Sequence, residues 1–489
     1  MISKKLTALV LISALFVSCS EDKQSPKPKF ADNVRSLFGV LQVDSSQLLV
    51  TDSAGNAISG AQILIGSALG SPFAGNLIST SEDGVFTAPA EWTSAQSVTI
   101  SAPGYVRATF MGQMPTGQKF ALRKILPTQT MSLKGETTGF SVKDRDGLVD
   151  FGLVIPAITK QTFFNFDVSS FISKETDTIT VVGRKIELPK NLSLPKQRES
   201  YYVGFELNKP QFQLDFNSAG ERMIYVARGQ FPINEVIGDI RNGKEFYELT
   251  NYFSIKGAAV RIMNVQNDVV QNLPVNELNY SGNLQVSGPT FSRDELVLSV
   301  PLAFWKGWYY PTDVKMLEAG KARNLTVAGG GTPYLLSVLK RKDEMGGTGG
   351  NIDRLSANFI PFTAGVAPSF LPLVDQPTVI SPYHLQMKAV TKPAAINEGS
   401  QYSVLSKVSQ VTIGGKAIDV LENVWEVYAP NWQTDMSIPE WPGENALSGR
   451  LRWEVTLTGV LDQNSLKNVD LGPKWLEAAT HATRSSADF

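Results

Sequence analysis

Residues 451–458 have the sequence LRWEVTLT, in which apolar and polar side chains alternate without interruption. Successive side chains of a β-strand point to opposite faces of its sheet. The unbroken alternation therefore predicts a strand that turns its apolar side chains toward a core. One face of this strand carries Leu451, Trp453, Val455 and Leu457, and the other carries Arg452, Glu454, Thr456 and Thr458.

Further apolar or alternating runs typical of strands recur along the chain and predict an all-β protein. Examples are residues 61–65, 98–102, 148–155 and 296–300, each followed by a glycine or a proline. The 27 prolines and 40 glycines are spread rather than clustered, as in sandwiches whose short strands are joined by turns. The 489 residues are enough for several domains. We predict several β-sandwich domains in tandem: a sandwich at 45–124, a β-rich middle domain at 125–370 and a second sandwich at 371–489.

A helical insertion is predicted near 232–253. Pro232 suits the first position of a helix, and the apolar residues that follow it recur at helical spacing until Gly243. Residues 244–253 form a second short helix in this interpretation. A helical crossover packed over a sheet edge is favoured over a partner-binding helix. The apolar positions are Ile233, Val236, Ile237 and Ile240.

The first residues predict the compartment. Lys4 and Lys5 precede an apolar run at 6–17, which at about a dozen residues is too short to span ~30 Å of hydrocarbon. Ser18 and the chain's one cysteine, Cys19, follow. The segment resembles a bacterial lipobox, in which a peptidase cuts before the cysteine and the thiol carries lipid. The resemblance implies a signal peptide at 1–18 and lipidation of Cys19, palmitate included; an ordinary signal peptide is the alternative.

A tether is predicted between this anchor and the first sandwich, at 19–44. Residues 20–29 are polar and Pro-rich and have no apolar period, so they cannot bury a core. In the lipoproteins that the lipobox resembles, Ser rather than Asp after the cysteine favours the outer membrane. We therefore expect a protein that is lipid-anchored in the cell envelope, in the outer membrane, with the membrane as its partner through Cys19.

The overall charge and cysteine count exclude some classes of protein. A formal net charge of −1 argues against a nucleic-acid partner, which requires a basic surface. A single cysteine allows no disulfide within the chain, so each domain depends on its own core. After the leader, no apolar run approaches the ~18 residues of a membrane span.

The first predicted sandwich has a spaced set of turn and core residues. A strand ending near Val50 leads into a turn, and a Gly-Ala pair opens the next strand. An Asp-Gly hairpin signal and a late Gly-Tyr follow. This order resembles the carboxypeptidase regulatory-like domain, a small transthyretin-like β-sandwich. The resemblance implies a stability, spacing or interaction module without an active site. The matching residues are Val50, Asp52, Gly55, Gly60, Ala61, Asp83, Gly84, Phe86, Gly104 and Tyr105.

Aromatic residues supply the candidate contact surface. Five aromatic residues fall between 304 and 310, around Gly307, and two tryptophans lie in a Pro-rich loop near 432–441. Such rings can stack on a sugar or contact another protein. The alternative for the first group is that every other member is a core residue at the end of a strand. The candidate contacts are Trp305, Trp308, Tyr309, Tyr310, Trp432 and Trp441.

One acidic turn has a partial calcium-loop pattern. Asp144, Asp146 and Asp150 have suitable early spacing, but the late glutamate of such a loop is missing. An exposed acidic turn is the favoured interpretation. We predict no metal and no other cofactor.

Motifs of catalysis are not found in the sequence. The two histidines, His384 and His481, lie far apart, and neither has a carboxylate or cysteine at motif spacing. A Gly-x-Ser-x-Gly elbow is also missing. We therefore predict a structural or binding role, toward envelope or surface proteins or glycans, without an evident catalytic site. The alternative is a secreted carbohydrate-active hydrolase that uses a carboxylate pair, with the first sandwich as an accessory module.

Overall fold

The fold is taken from a computed structural model of the chain. The leader, Cys19 and the tether lie outside the residues that it describes. The described residues are 47–66, 73, 77–125, 131–138, 147–157, 160, 172–181, 184–194, 199–205, 211–216, 219–244, 246–266, 269–270, 273–274, 280, 282–344, 354–413, 416–466 and 469–489.

The first region forms two small facing sheets. Strands order as β4-β1-β7 in one sheet, and β6-β5-β2-β3 run side by side opposite it. Leu48 and Phe120 of the first sheet share a core with Ile63 and Phe110 of the second, as in a sandwich. The strands are β1 (Gln47–Asp52), β2 (Gln62–Ile65), β3 (Leu77–Ser79), β4 (Val85–Thr87), β5 (Gln96–Ser101), β6 (Arg107–Gln113) and β7 (Lys119–Leu122).

The next region also stacks two sheets. One has the order β10-β11-β12-β9-β14-β15, and the other has β13-β8-β16 with β17 beside β8. Leu133 and Phe212 from the second sheet pack against Val154 and Ile224 from the first. The strands are β8 (Met131–Thr138), β9 (Leu148–Pro156), β10 (Ile172–Val181), β11 (Arg184–Leu194), β12 (Glu199–Phe205), β13 (Gln211–Phe216), β14 (Gly220–Pro232), β15 (Ser254–Val265), β16 (Val269–Val270) and β17 (Leu273–Pro274).

The helical insertion lies between β14 and β15, as predicted. Helix α1 spans Ile233–Arg241, and a 3₁₀ helix spans Phe246–Tyr252. Gly243 follows α1 with φ +88°, a left-handed conformation that glycine adopts without strain. Val236 and Leu249 pack in the main core, so the insertion covers the sheets. Because β14 and β15 are neighbouring antiparallel strands, the insertion closes a hairpin, and the prediction of a crossover is wrong. The prediction of an all-β chain with this insertion is confirmed.

The rest of the described chain contains short helices and many strands. The helices are a 3₁₀ turn at Lys342–Glu344, another at Gln463–Leu466, and α2 (Pro473–Ala478). The strands are β18 (Gly282–Ser287), β19 (Glu295–Trp305), β20 (Trp308–Pro311), β21 (Lys315–Leu317), β22 (Ala322–Val327), β23 (Thr332–Arg341), β24 (Leu355–Pro361), β25 (Thr378–Ser381), β26 (His384–Gln386), β27 (Asn397–Ile413), β28 (Lys416–Ala429), β29 (Asp435–Ser437), β30 (Leu451–Val460) and β31 (His481–Asp488).

One sheet, called the central sheet below, crosses both predicted boundaries between folded domains. Its order is β20-β19-β23-β24-β31-β30-β27-β28-β6-β5-β2-β3, with β21 beside β19. The antiparallel pair β24–β31 joins the middle region to the last one. The parallel pair β28–β6 joins the last region to the first. The three predicted regions therefore share one hydrogen-bonded sheet.

Strand β30 lies inside this sheet, between β27 and β31, and all ten of its residues are buried. Its apolar face packs with Leu385 of β26 and Met436 of β29. The polar face predicted from the alternation is buried as well. Arg452 Nε donates to Asp488 Oδ1 at 2.5 Å, and Glu454 Oε1 lies 3.8 Å from Arg484 Nη1. Charge pairing with β31 therefore replaces the solvent that a half-buried strand would face.

Candidate functional site

The aromatic segment forms a hairpin whose tip exposes one tryptophan. Trp305 and Trp308 are paired across the turn between β19 and β20. The two turn residues, Lys306 and Gly307, both have positive φ, at 49° and 90°. Trp305 is 37% exposed, and Lys306 Nζ lies 4.4 Å from its ring centroid. Trp305 is thus the exposed ring among the predicted contacts in this segment.

The other aromatic residues of the segment belong largely to the core. Trp308 and Tyr310 are buried in the main hydrophobic cluster. Tyr309 is half-buried, and its ring centroid lies 4.7 Å from that of Phe304 and 4.8 Å from that of Phe359. Burial raises the pKa of the Tyr309 hydroxyl. Core and outer rings therefore alternate along this segment, which is the alternative interpretation given in the sequence analysis.

We expect Trp305→Ala to change the free energy of unfolding by no more than about 0.5 kcal/mol, because its ring is partly exposed at the tip of the hairpin, beside the ammonium of Lys306. Urea unfolding followed by circular dichroism measures this value. The contrast is Trp308→Ala, which removes a buried ring from the same hairpin and should clearly lower the midpoint. A loss above 1 kcal/mol for Trp305→Ala would mean that this ring is a structural plug rather than a candidate contact.

The two loop tryptophans differ in their surroundings. Trp432 is half-buried, and its Nε1 donates to the Thr458 carbonyl at 3.0 Å. Trp441 is buried, and the Arg107 guanidinium lies 4.5 Å from its ring and 4.6 Å from that of Trp425. Trp441 is therefore part of the junction between β6 and β28 and does not offer an open face for a ligand.

The calcium pattern is described only in part. Asp144 and Asp146 lie outside the described residues. Asp150 is on β9, where its carboxylate accepts from Gln230 Nε2 at 2.7 Å and lies 3.5 Å from Arg228 Nε. Protein groups already compensate this carboxylate. Among the described residues, no group of three or more histidine, cysteine or acidic side chains is placed to hold a metal ion.

Two buried carboxylates flank β27 on one face of the central sheet. Glu426 of β28 and Glu454 of β30 are both cross-strand neighbours of Val404. Two interstrand spacings separate their backbones by roughly 10 Å. Glu426 accepts from Arg123 and from the Tyr428 hydroxyl, and Glu454 is paired with an arginine as described above. Both carboxylates are buried and paired, unlike the open pair in an aromatic cleft that the hydrolase alternative requires.

A pocket of about 520 Å³ lies beside the central sheet. Its lining includes Phe291, Phe370 and Glu295, together with prolines of the segments at 288–291 and 367–372. The volume is in the range of small-molecule sites. Ser369 also lines this pocket and is exposed. The pocket is therefore a concave, mainly apolar surface with a serine hydroxyl at its wall.

The serine is hydrogen-bonded to a buried histidine. His481 Nε2 lies 3.0 Å from Ser369 Oγ, and His481 Nδ1 lies 2.9 Å from Thr480 Oγ1. His481 begins β31, which places its ring beneath the 367–372 segment. A hydroxyl, an imidazole and a third group that orients the imidazole are the parts of a nucleophile–base arrangement. The structure thus assembles a constellation from residues more than a hundred positions apart.

The electrostatic surroundings keep His481 neutral at pH 7. Burial, and secondly the charge of Lys160, lower the pKa of its imidazole to about 4, against a smaller opposing effect of a hydrogen bond with the Ser369 backbone. Burial also lowers the pKa of the Lys160 ammonium, to about 8, while Glu477 opposes that shift. Lys160 Nζ lies 5.3 Å from the Phe359 ring centroid. The imidazole is therefore unprotonated at neutral pH, and its lowered pKa makes it a weaker base than an exposed histidine.

Sequence reasoning missed this site because nothing near Ser369 or His481 signals it. His481 has no catalytic partner at motif spacing, because its partner serine lies in the Pro-rich segment at the predicted 370/371 boundary. The pairing of β31 with β24 and β30 brings the two together. His384, the other histidine, is hydrogen-bonded to Asp435 at 2.9 Å on a separate small sheet.

Comparisons with known proteins give distant likenesses only. No protein-family model matches the chain, and no curated protein matches it. The solved Bacillus anthracis TIE protein is 9% identical, covering 67% of this chain and 51% of its own, with a TM-score of 0.14. The chain thus spans about half the length of that protein. BcpA, the major pilin subunit of Bacillus cereus, is 8% identical, covering 67% of this chain and 98% of its own, also with a TM-score of 0.14. Trypsin-activated alpha-2-macroglobulin from Escherichia coli is 8% identical, covering 90% of this chain and 36% of its own, with a TM-score of 0.11.

Proposed function

We propose that the chain is a lipid-anchored cell-envelope protein, held in the outer membrane through Cys19, whose folded part has a structural or binding role. The lipobox resemblance and the polar segment that follows Cys19 support the lipid anchor. Among the described residues, no helix has the length and apolar character to cross a membrane. Membrane attachment in this proposal therefore depends on the acyl chains at Cys19, and multiple chains hold a protein firmly.

The observation that carries the structural part of the proposal is the continuity of the central sheet. The sandwich nearest the tether is joined to the last region by the parallel pair β6–β28. Side chains reinforce this pair: Trp425 Nε1 donates to Thr109 Oγ1 at 2.8 Å, and Arg107 Nη2 donates to Glu444 at 2.5 Å. A body built this way presents its surfaces in fixed relation to the sandwich that follows the anchor.

Trp305 and the 520 Å³ pocket are the surfaces that support a binding role toward proteins or glycans. Trp305 offers a partly exposed ring, and the pocket offers Phe291 and Phe370. Aromatic rings of this kind contribute much of the contact energy at protein and sugar interfaces. The carboxypeptidase regulatory-like resemblance of the first sandwich, with Gly84 in its predicted Asp-Gly turn, supports the same class of role. A Cβ at Gly84 would lie 2.6 Å from the Val50 carbonyl oxygen, so this turn requires a glycine.

The anchor is tested by comparing the wild-type chain with Cys19→Ala in fractionated cells and after protease treatment of intact cells. Ser20→Ala is the matched control, because it changes the neighbouring residue and keeps the thiol. We expect wild type and Ser20→Ala in the membrane fraction and Cys19→Ala in the soluble fraction. Cleavage of the wild-type protein on intact cells would assign it to the cell surface, and protection would assign it to the periplasmic face. Membrane fractionation of Cys19→Ala like wild type would contradict the anchor.

A further inference from the structure

Ser369, an exposed residue in the wall of the 520 Å³ pocket, has a hydroxyl that is hydrogen-bonded to a buried ring. Ser369 Oγ and His481 Nε2 are 3.0 Å apart, within the range expected of a nucleophile and its base. His481 itself is fully buried, so solvent does not compete for its ring nitrogens. The ring is therefore buried, whereas Ser369, which carries the hydroxyl, is an exposed residue of the pocket wall.

The hydrogen bonds of Thr480 favour one tautomer of this ring. Thr480 Oγ1 accepts from the Leu461 N–H at 3.0 Å and donates to the Gly459 carbonyl oxygen at 3.3 Å, an oxygen that also accepts from the Thr480 N–H at 2.9 Å. In this arrangement its remaining lone pair accepts a hydrogen from His481 Nδ1 at 2.9 Å. His481 Nε2 is left unprotonated, which is the form that accepts the Ser369 hydroxyl hydrogen.

Donors for a developing oxyanion are close by in the sequence. In the part of the chain that the structure describes, the backbone N–H groups of Ser369 and Phe370 have no acceptor within the protein. Backbone N–H groups beside a nucleophile are the usual means of stabilising a tetrahedral intermediate. The pocket is lined by Phe291, Phe370, prolines and the acidic residue Glu295, so it favours an uncharged, apolar acyl group over an anion.

We propose that Ser369 and His481 are a nucleophile and base that cleave small uncharged esters bound in this pocket. Ser369 Oγ bonds to the carbonyl carbon while its hydrogen passes to His481 Nε2. The bond from that carbon to the leaving oxygen then breaks, and the alcohol departs with the hydrogen from Nε2. Water repeats the attack on the acyl-serine, which releases the carboxylic acid and restores both side chains. Thr480 is a positioning residue that holds the ring through Nδ1.

The test uses the full chain purified in detergent, with a fluorophosphonate probe and 4-nitrophenyl acetate as reagents. The probe forms a bond between phosphorus and Ser369 Oγ with loss of fluoride, and peptide mass spectrometry locates it. We expect labelling at Ser369 that is abolished in Ser369→Ala and slowed about 100-fold in His481→Gln, since general-base catalysis contributes at least that factor. Ser465→Ala is the matched control: Ser465 is exposed and bonded to a backbone carbonyl, so labelling should be unchanged.

A second measurement does not depend on whether the His481 variant folds. Nitrogen-15 NMR of the wild-type ring at pH 7 distinguishes the two neutral tautomers. Hydrogen on Nδ1 supports the proposal. Hydrogen on Nε2, donated to the Ser369 backbone, would overturn it, because the ring could then not accept the hydroxyl hydrogen. Labelling of Ser369 no faster than labelling of Ser465 would overturn it as well.

Discussion

Replacing Arg123 with methionine is expected to lower the free energy of unfolding by about 3 kcal/mol. Its guanidinium pairs with Glu426, which is 1% exposed and also accepts from the Tyr402 hydroxyl at 3.1 Å and the Tyr428 hydroxyl at 2.7 Å. Removing one partner of a buried ion pair leaves an uncompensated charge, which costs about 3–5 kcal/mol. We take the lower value because Arg123 is 21% exposed.

Urea unfolding at pH 7 measures this loss, with Arg293→Met as the control at an exposed arginine. The double variant Arg123→Met/Glu426→Gln should recover much of the loss, since a neutral amide can keep the two tyrosine hydrogen bonds. A change below 1 kcal/mol for Arg123→Met would contradict the expectation. Because Arg123 follows the first sandwich and Glu426 lies on β28, the same pair strengthens the junction between the first and last regions.

Stability is also expected to fall by about 3 kcal/mol as the pH is lowered from about 6.5 to about 4, through His481 alone. The folded protein lowers the pKa of this imidazole to about 4, from its ordinary value of 6.5, through burial and the nearby charge of Lys160. Between these values the unfolded chain binds a proton that the folded chain does not, so stability rises with pH. The contribution is complete above about pH 6.5, and the shift corresponds to about 3 kcal/mol.

Urea midpoints at half-unit intervals from pH 4 to pH 7.5 measure this effect. The difference between wild type and His481→Gln isolates it from the carboxylates, which both chains share. In His384→Gln, His481 is the one histidine left, so its proton resonances report its titration without overlap. A titration midpoint near 6.5 in the folded protein would contradict the prediction.

Much of the local structure could be predicted from the sequence. The alternation at 451–458 marks β30, and the helical spacing after Pro232 marks α1. Both patterns depend on where neighbouring side chains point, which the backbone geometry of a strand or helix determines locally.

The candidate sites were less predictable. Trp441 lies in a Pro-rich loop that suggested exposure, yet it covers Arg107, a residue more than three hundred positions earlier. Ser369 and His481 carry no motif, and their contact follows from the pairing of β24 with β31. Period-two alternation states which side chains share a face but says nothing about which strand lies beside them.

The sequence by itself therefore determined the all-β class, the helical insertion and the positions of several strands. Only the tertiary structure decided that one sheet runs through all three predicted regions, that the polar face of β30 is buried against Asp488 and Arg484, and that a serine meets a histidine at a pocket. The physical reason is that strands pair through backbone hydrogen bonds, which are the same for nearly every residue. Neighbours in a sheet are chosen by the packing of the whole chain.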